Sequence, residues 1–244
     1  MSDLHTETVT YTAGATTLRG FLAKPASAGE KHAGVLIVHE WWGLNDYMRE
    51  RAHMLADLGY TALAIDMYGD GQVATDPASA GALMNKALAD RAGLEAKFQA
   101  GLACLKSQPG VEPQRLAAIG YCFGGAVVLH AARIGLPLAA VVSFHGALGS
   151  FHTPAPGSVP AKILVCHGDA DSLVPEADVD AFEHEMEQAK ADYRVARYPH
   201  ALHGFTNREA DENGKKYGIP LAYDPDADRH SWDDMRKLFA DTIA

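Results

Sequence analysis

Short, uninterrupted apolar runs alternate along this chain with longer stretches whose apolar residues recur every three or four positions. Gly34-Val35-Leu36-Ile37-Val38 is the clearest of the runs, and a run of this kind is the mark of a strand buried on both faces in a parallel sheet. Further runs predict strands at Tyr60–Ile65, Leu116–Ile119, Leu138–Phe144 and Ile163–Cys166, and another strand is expected at Tyr193–Tyr198. Between them, Met48, Ala52, Leu55, Ala56 and Leu58 form the stripe of a helix that starts near Asp46 and is capped at Gly59. Helical spacing also predicts one long or two consecutive helices over 78–107, then helices at Gly124–Arg133, Pro175–Lys190 and Trp232–Ile243. The alternation implies an α/β architecture, a mostly parallel sheet with helices on both faces. Before it, residues 6–12 and 17–24 read as two strands about a turn at Gly14, a hairpin that supplies an antiparallel N-terminal edge. Thr153–Pro160 and the polar stretch Asn207–Arg229 read as loops. No repeat or linker divides residues 1–244, so a single domain is expected.

Charge narrows the partners. With 21 Lys and Arg against 31 Asp and Glu the net charge is −10, which repels nucleic-acid phosphates and anionic lipid headgroups. No apolar run reaches the length of a membrane span. The polar opening Met1–Glu7 lacks the features of an export signal, so a cytoplasmic location is expected. The three cysteines, Cys104, Cys122 and Cys166, are an odd number without C-x-x-C spacing, which excludes a fully paired disulfide framework and a thiolate-only zinc site.

One cysteine stands where chemistry is done. Gly120-Tyr121-Cys122-Phe123-Gly124-Gly125 joins an apolar strand to an apolar helix in the form G-x-C-x-G. In the serine version of this turn, small residues let the chain bend sharply enough to lift the nucleophile above the sheet. A helix N-terminus at the same place favours both a thiolate and an oxyanion. A buried, inert Cys122 is the competing reading, with the glycines serving only close packing. Nucleophilic catalysis needs a base and a group that orients it. Both appear later in the chain, just past strand ends: Asp169 and Asp171 after Ile163–Cys166, and His200 and His203 after Tyr193–Tyr198. Turn formation competes as a role for either aspartate, and a surface position for either histidine. No metal-ligand set accompanies them. After the first buried run, His39-Glu40-Trp41-Trp42-Gly43 occupies the loop that supplies the second oxyanion amide in this topology. The expected donors are therefore the backbone amides of Trp41 and Phe123. Glu40 introduces a conflict, since a carboxylate beside a thiol opposes the thiolate that a charged histidine favours.

Together these segments resemble the dienelactone hydrolase family, the carboxymethylenebutenolidase-like branch of the α/β-hydrolase fold. The resemblance runs from Gly34 to Phe239 and rests on His39-Glu40-Trp41-Trp42-Gly43-Leu44-Asn45, Asp66-Met67-Tyr68-Gly69, the Cys122 turn, the Gly168–Pro175 turn and Tyr198 followed by Ala201-Leu202-His203-Gly204-Phe205. It implies a three-layer sandwich with Cys122 as nucleophile, His203 as base and Asp171 as its acid. Glu40 is implied to hold the resting thiol and to move when substrate binds. Trp42, Tyr68, Asn207 and Arg208 become candidate substrate contacts. The chlorocatechol-pathway members hold the substrate carboxylate with basic residues, one of them four positions beyond the histidine. Asn207 stands there in this chain, with Arg208 next, and Lys86 and Arg91 are candidates for the other basic site. The resemblance thus implies hydrolysis of a small ester or lactone, without cofactor or metal, by a monomer or homodimer, and leaves dienelactone itself unspecified. Competing readings are a hydrolase-fold protein that binds without turnover and an acyltransferase using the same triad.

Overall fold

The structure, a computed structural model, describes residues 4–26 and 31–244. Residues 1–3 of the polar opening segment lie outside the described residues. The strands take the order β1-β2-β4-β3-β5-β6-β7-β8 in one eight-stranded sheet, with ranges as follows. β1 (Leu4–Ala13), β2 (Thr16–Pro25), β3 (His32–Val38) and β4 (Thr61–Ile65) precede β5 (Val111–Tyr121), and β6 (Ala140–Phe144), β7 (Lys162–Gly168) and β8 (Tyr193–Tyr198) follow it. The chain forms two compact units, Met1–Ala118 and Ile119–Ala244, whose boundary falls inside β5 rather than in a linker.

In the first unit β1 and β2 pair antiparallel, with Ala13 opposite Thr16 across a turn where Gly14 takes φ +58°. β2 pairs antiparallel with β4, and β3 parallel with β4. β4 is buried throughout and β3 from Ala33 onward, as a two-sided apolar run requires. Helix α1 (Asp46–Asp57) starts at Asn45, whose side chain accepts the Met48 N–H, and buries Met48, Ala52, Leu55 and Ala56. The 78–107 segment resolves into α2 (Pro77–Ala89) and α3 (Arg91–Lys106), because Asp90 both ends the first and caps the second.

In the second unit β6, β7 and β8 run parallel, with Val142 opposite Leu164 and Val165 opposite Val195. Helix α4 (Phe123–Arg133) is buried almost all round, which suits a helix at the centre of a domain. At its end Arg133, with only 1% of its side chain exposed, forms an ion pair with Glu185 of α5 (Glu176–Gln188) and donates to the Leu148 carbonyl.

One expectation is corrected. The Asn207–Arg229 stretch is not a continuous loop: it contains α6 (Ala210–Tyr217) and the start of α7 (Pro225–Thr242). Helix α6 buries only Ala210 and Gly214, and a Cβ on Gly214 would sit 2.5 Å from the Leu221 carbonyl oxygen. A helix that packs through missing side chains leaves no apolar stripe in its sequence. Helix α7 begins seven residues before Trp232 because Asp224 accepts the Asp226 and Ala227 N–H groups and Pro225 occupies the first turn.

Candidate active site

The second unit builds its site at the junction of β5 and α4. Cys122 is the N-cap of α4, with φ +52° and ψ −114°, a conformation that L-residues rarely adopt and that costs on the order of 1–3 kcal/mol. The bend is possible because its flanks are bare. A Cβ on Gly120 would lie 2.0 Å from the Gly124 carbonyl oxygen, and one on Gly125 would lie 2.5 Å from Ser143 Oγ and 2.7 Å from Gly146 Cα. The Cys122 N–H donates to the Phe144 carbonyl at 3.0 Å, and its own carbonyl accepts from Gly125 and Ala126. Cys122 is half-buried. The other thiols differ: burial pushes Cys166 up to about 12 and raises Cys104 as well, so both are held protonated.

Asp171 lies in the turn after β7, fully enclosed. One carboxylate oxygen accepts the Leu173 and Val174 N–H groups at 2.9 and 3.2 Å, and the other accepts the His203 Nδ1–H at 2.8 Å. The same side chain therefore shapes its turn and orients an imidazole. With Nδ1 so engaged, Nε2 is the nitrogen left to face Cys122, which lies near enough to His203 to raise its pKa. Burial pulls His203 toward neutrality, but the electrostatic influence of Cys122, with the hydrogen bond to Asp171, outweighs it and raises His203 well above the ordinary 6.5. The structure thus places Cys122 beside a His203 that is hydrogen-bonded to Asp171.

The alternative acid and histidine lie elsewhere. Asp169 is exposed and accepts the Arg197 Nε–H at 2.7 Å, while Arg197 also pairs with Glu176. His200 is exposed, at φ +66°. Asn207 is buried, its side chain accepting the Glu209 N–H at 2.9 Å, and Arg208 is exposed. In the first unit, Lys86 and Arg91 are exposed.

The first unit holds Glu40, Trp41, Trp42 and Tyr68 close together. Glu40 and Trp42 are buried, Trp41 is half-buried, and the two indoles meet with centroids 4.9 Å apart. The loop's carbonyls are pinned in succession. His39 Nε2 accepts the Met67 N–H, so Nδ1 carries the proton and donates to the Glu40 carbonyl at 2.5 Å. The Tyr68 hydroxyl donates to the Trp41 carbonyl at 2.8 Å, and the Ala74 N–H to the Trp42 carbonyl at 2.8 Å. Tyr68, a candidate substrate contact by sequence, thus has its hydroxyl on the backbone. Asp66 anchors the neighbouring loop by accepting the N–H groups of Arg19, Tyr68, Gly69 and Gly71.

His145 was not among the sequence candidates. It follows β6, is buried, and takes φ +40°. Its ring stands edge-on to His203 at 5.2 Å. The signal that was available is its position, at the end of an apolar strand and followed by glycine. Among the described residues no group of three His, Cys, Asp or Glu is placed to hold a metal ion, and no helix is long and apolar enough to cross a membrane.

The chain is similar to several known proteins. A solved structure described as a dienelactone hydrolase-like promiscuous phosphotriesterase from metagenomic libraries superimposes with a TM-score of 0.89, at 39% identity over 99% of each chain. An uncharacterised protein of Caenorhabditis elegans is 38% identical over 154 residues, 59% of this chain and 90% of that one. A Synechocystis protein to which carboxymethylenebutenolidase activity is ascribed is 26% identical over 97% of both chains. The family model for dienelactone hydrolases matches residues 18–243. On that match the chain belongs to the dienelactone hydrolase family, ester and lactone hydrolases with the α/β-hydrolase fold.

Proposed function

We propose that the chain hydrolyses small esters or lactones through a covalent acyl-Cys122 intermediate. The observation that carries this reading is a cysteine held at φ +52° beside a histidine, His203, whose Nδ1 is hydrogen-bonded to Asp171. The Cys122 sulfur attacks the carbonyl carbon, and the carbonyl π electrons move onto oxygen. The Phe123 N–H, first in α4, faces that developing charge as a helix-terminal donor, a contribution on the order of 3 kcal/mol. The imidazolium of His203 then protonates the leaving alkoxide, and the C–O bond breaks. Neutral His203 takes a proton from water, whose oxygen attacks the thioester. Collapse expels the Cys122 sulfur and restores the ion pair. Asp171 keeps the imidazole in the tautomer that both half-reactions need. Trp41, as second amide donor, and Glu40, as partner of the resting thiol, keep the roles that their place in the sequence and the family resemblance imply.

The test is pre-steady-state hydrolysis of a p-nitrophenyl ester. A burst of one nitrophenolate per chain and loss of turnover in Cys122→Ala are expected, whereas wild-type rates in that variant would refute the reading. A second activity, on phosphotriesters, is supported by the 39% identity over 99% of the chain to the promiscuous phosphotriesterase. There the same sulfur would attack phosphorus with loss of an aryloxide, and water would release the phosphodiester. A phosphotriester assay with the Cys122→Ala control decides it.

A further inference from the structure

The buried imidazole of His145 has no part in the steps above, yet between them the ring and the peptide before it touch every segment that carries a member of the proposed triad. The Phe144–His145 peptide is the link between two of them. Its carbonyl accepts the Cys122 N–H at 3.0 Å, and its N–H, that of His145, donates to the Cys166 carbonyl at 2.9 Å, in the strand that leads to Asp171. The third segment is held by the side chain. His145 Nε2 and Thr206 Oγ1 share a hydrogen bond of 2.7 Å, and Thr206 lies three residues beyond His203 in the same loop. The His145 ring also stands edge-on to His203 and to Phe205, with centroids 5.2 Å away in both cases. Both His145 and Thr206 are 1% exposed, so neither contact is diluted by water.

The backbone makes the arrangement unusual. A non-glycine residue at φ +40° is strained, and such strain persists where surrounding contacts over-determine it. Here the bend lets the chain pass into Gly146, where a Cβ would meet Ser143 Oγ at 2.3 Å and Gly125 Cα at 2.7 Å. The same bend that admits the close approach of α4 turns the His145 ring toward His203.

We propose that His145, acting with Thr206, is a positioning residue of the triad: it fixes the ring plane of His203 relative to the Cys122 sulfur. The inference rests on the reading of Cys122 as nucleophile. Asp171 fixes only one edge of the His203 ring through Nδ1, which leaves the ring free to tilt about that hydrogen bond. The edge-on His145 ring and the Thr206 anchor remove that freedom. Misplacement of a reacting group by about 1 Å costs up to about a hundredfold in rate, so the effect falls on kcat rather than on KM.

The test compares wild type with Thr206→Val, Thr206→Ser, His145→Asn and Cys122→Ala. Three readouts are taken: steady-state hydrolysis of p-nitrophenyl acetate, the pH profile of iodoacetamide alkylation of Cys122, and thermal melting. Thr206→Val is expected to lower kcat about tenfold with KM within about twofold, and to displace the alkylation profile, because the imidazole that sets the charge on sulfur has moved. Thr206→Ser restores both, since it returns the hydroxyl. His145→Asn, whose side chain tolerates positive φ, is expected to lose about a hundredfold in kcat. Wild-type kcat and alkylation profile in Thr206→Val would overturn the inference, as would failure of serine to restore them. If His145→Asn does not fold, the Thr206 pair decides alone. Wild-type turnover in Cys122→Ala would instead overturn the nucleophile assignment, which keeps the two failures distinct.

Discussion

Asp171→Asn separates the two jobs of one carboxylate. In the native turn, one oxygen accepts the Leu173 and Val174 N–H groups and the other accepts the His203 Nδ1–H. An asparagine in the same place must keep its only carbonyl oxygen on the two backbone donors, so its NH2 group faces His203. Two donors cannot face each other, and the imidazole answers by moving its proton from Nδ1 to Nε2. The nitrogen that must take a proton from water in the second half-reaction then already carries a hydrogen. In a serine-protease triad the same exchange costs about 10⁴ in kcat, and a loss of about 10³ to 10⁴ is expected here. Stability is expected to change little, by less than about 1 kcal/mol, since both turn hydrogen bonds survive. Asp171→Ala abolishes activity equally but leaves the Leu173 N–H and the His203 Nδ1–H without their acceptor, while the Val174 N–H keeps the Asp171 main-chain carbonyl at 3.3 Å. At about 1–2 kcal/mol each the cost is about 2–4 kcal/mol, a fall in Tm of about 4–16 °C for a chain of this size. Esterase assays and calorimetry on both variants check the argument. Asp171→Asn activity within tenfold of wild type would refute the orienting role, and coincident melting of the two variants would refute the turn role.

Cys122 is among the groups that raise His203, so Cys122→Ala should lower the pH at which His203 titrates, as read by NMR of its ring protons. The sign follows for stability: a raised histidine contributes fully below 6.5 and loses the contribution as pH rises through its folded value, so the wild-type Tm should fall with alkaline pH more steeply than that of Cys122→Ala. Gly125→Ala should destabilise by about 1–3 kcal/mol. Adding Ser143→Ala should restore only part of it in a denaturant titration, because the Gly146 backbone at 2.7 Å remains in the way. Glu185→Ala leaves the Arg133 guanidinium, 1% exposed, without its carboxylate, and should cost about 3–5 kcal/mol, measured in urea.

How far the sequence could be read depends on what each segment packs with. The strands from β3 to β7 were legible where burial is two-sided, because such strands must be written in apolar residues; β8, with Arg194 and Arg197 exposed, is not of that kind. The N-terminal end of β5 was not: Glu112, Pro113, Gln114 and Arg115 are partly or fully exposed, and the apolar run begins only at Leu116. Helix α6 was hidden for the opposite reason, packing through Ala210 and Gly214. At the site, chain order was enough to propose loops bearing acid and base but left two aspartates and two histidines. Side-chain direction separates them. Asp169 turns outward to Arg197 while Asp171, two residues on, turns inward to His203, and a two-residue offset in a turn carries no direction that a sequence pattern records.

His145 marks where the reading from sequence ended. A left-handed bend is signalled by glycine or asparagine, and this one is occupied by a histidine directly after the buried Ser143-Phe144. Nothing local predicts φ +40°; the bend comes from contacts made at a distance, by Cys122, Cys166 and Thr206. A residue defined by three distant partners is invisible to any argument from neighbours in the chain. The same fact gives it leverage, because a single peptide and a single ring there hold the spacing of nucleophile and base. The triad's precision therefore depends on a residue outside the triad, and substitutions at Thr206 should be felt at Cys122 through His203 with no direct contact required.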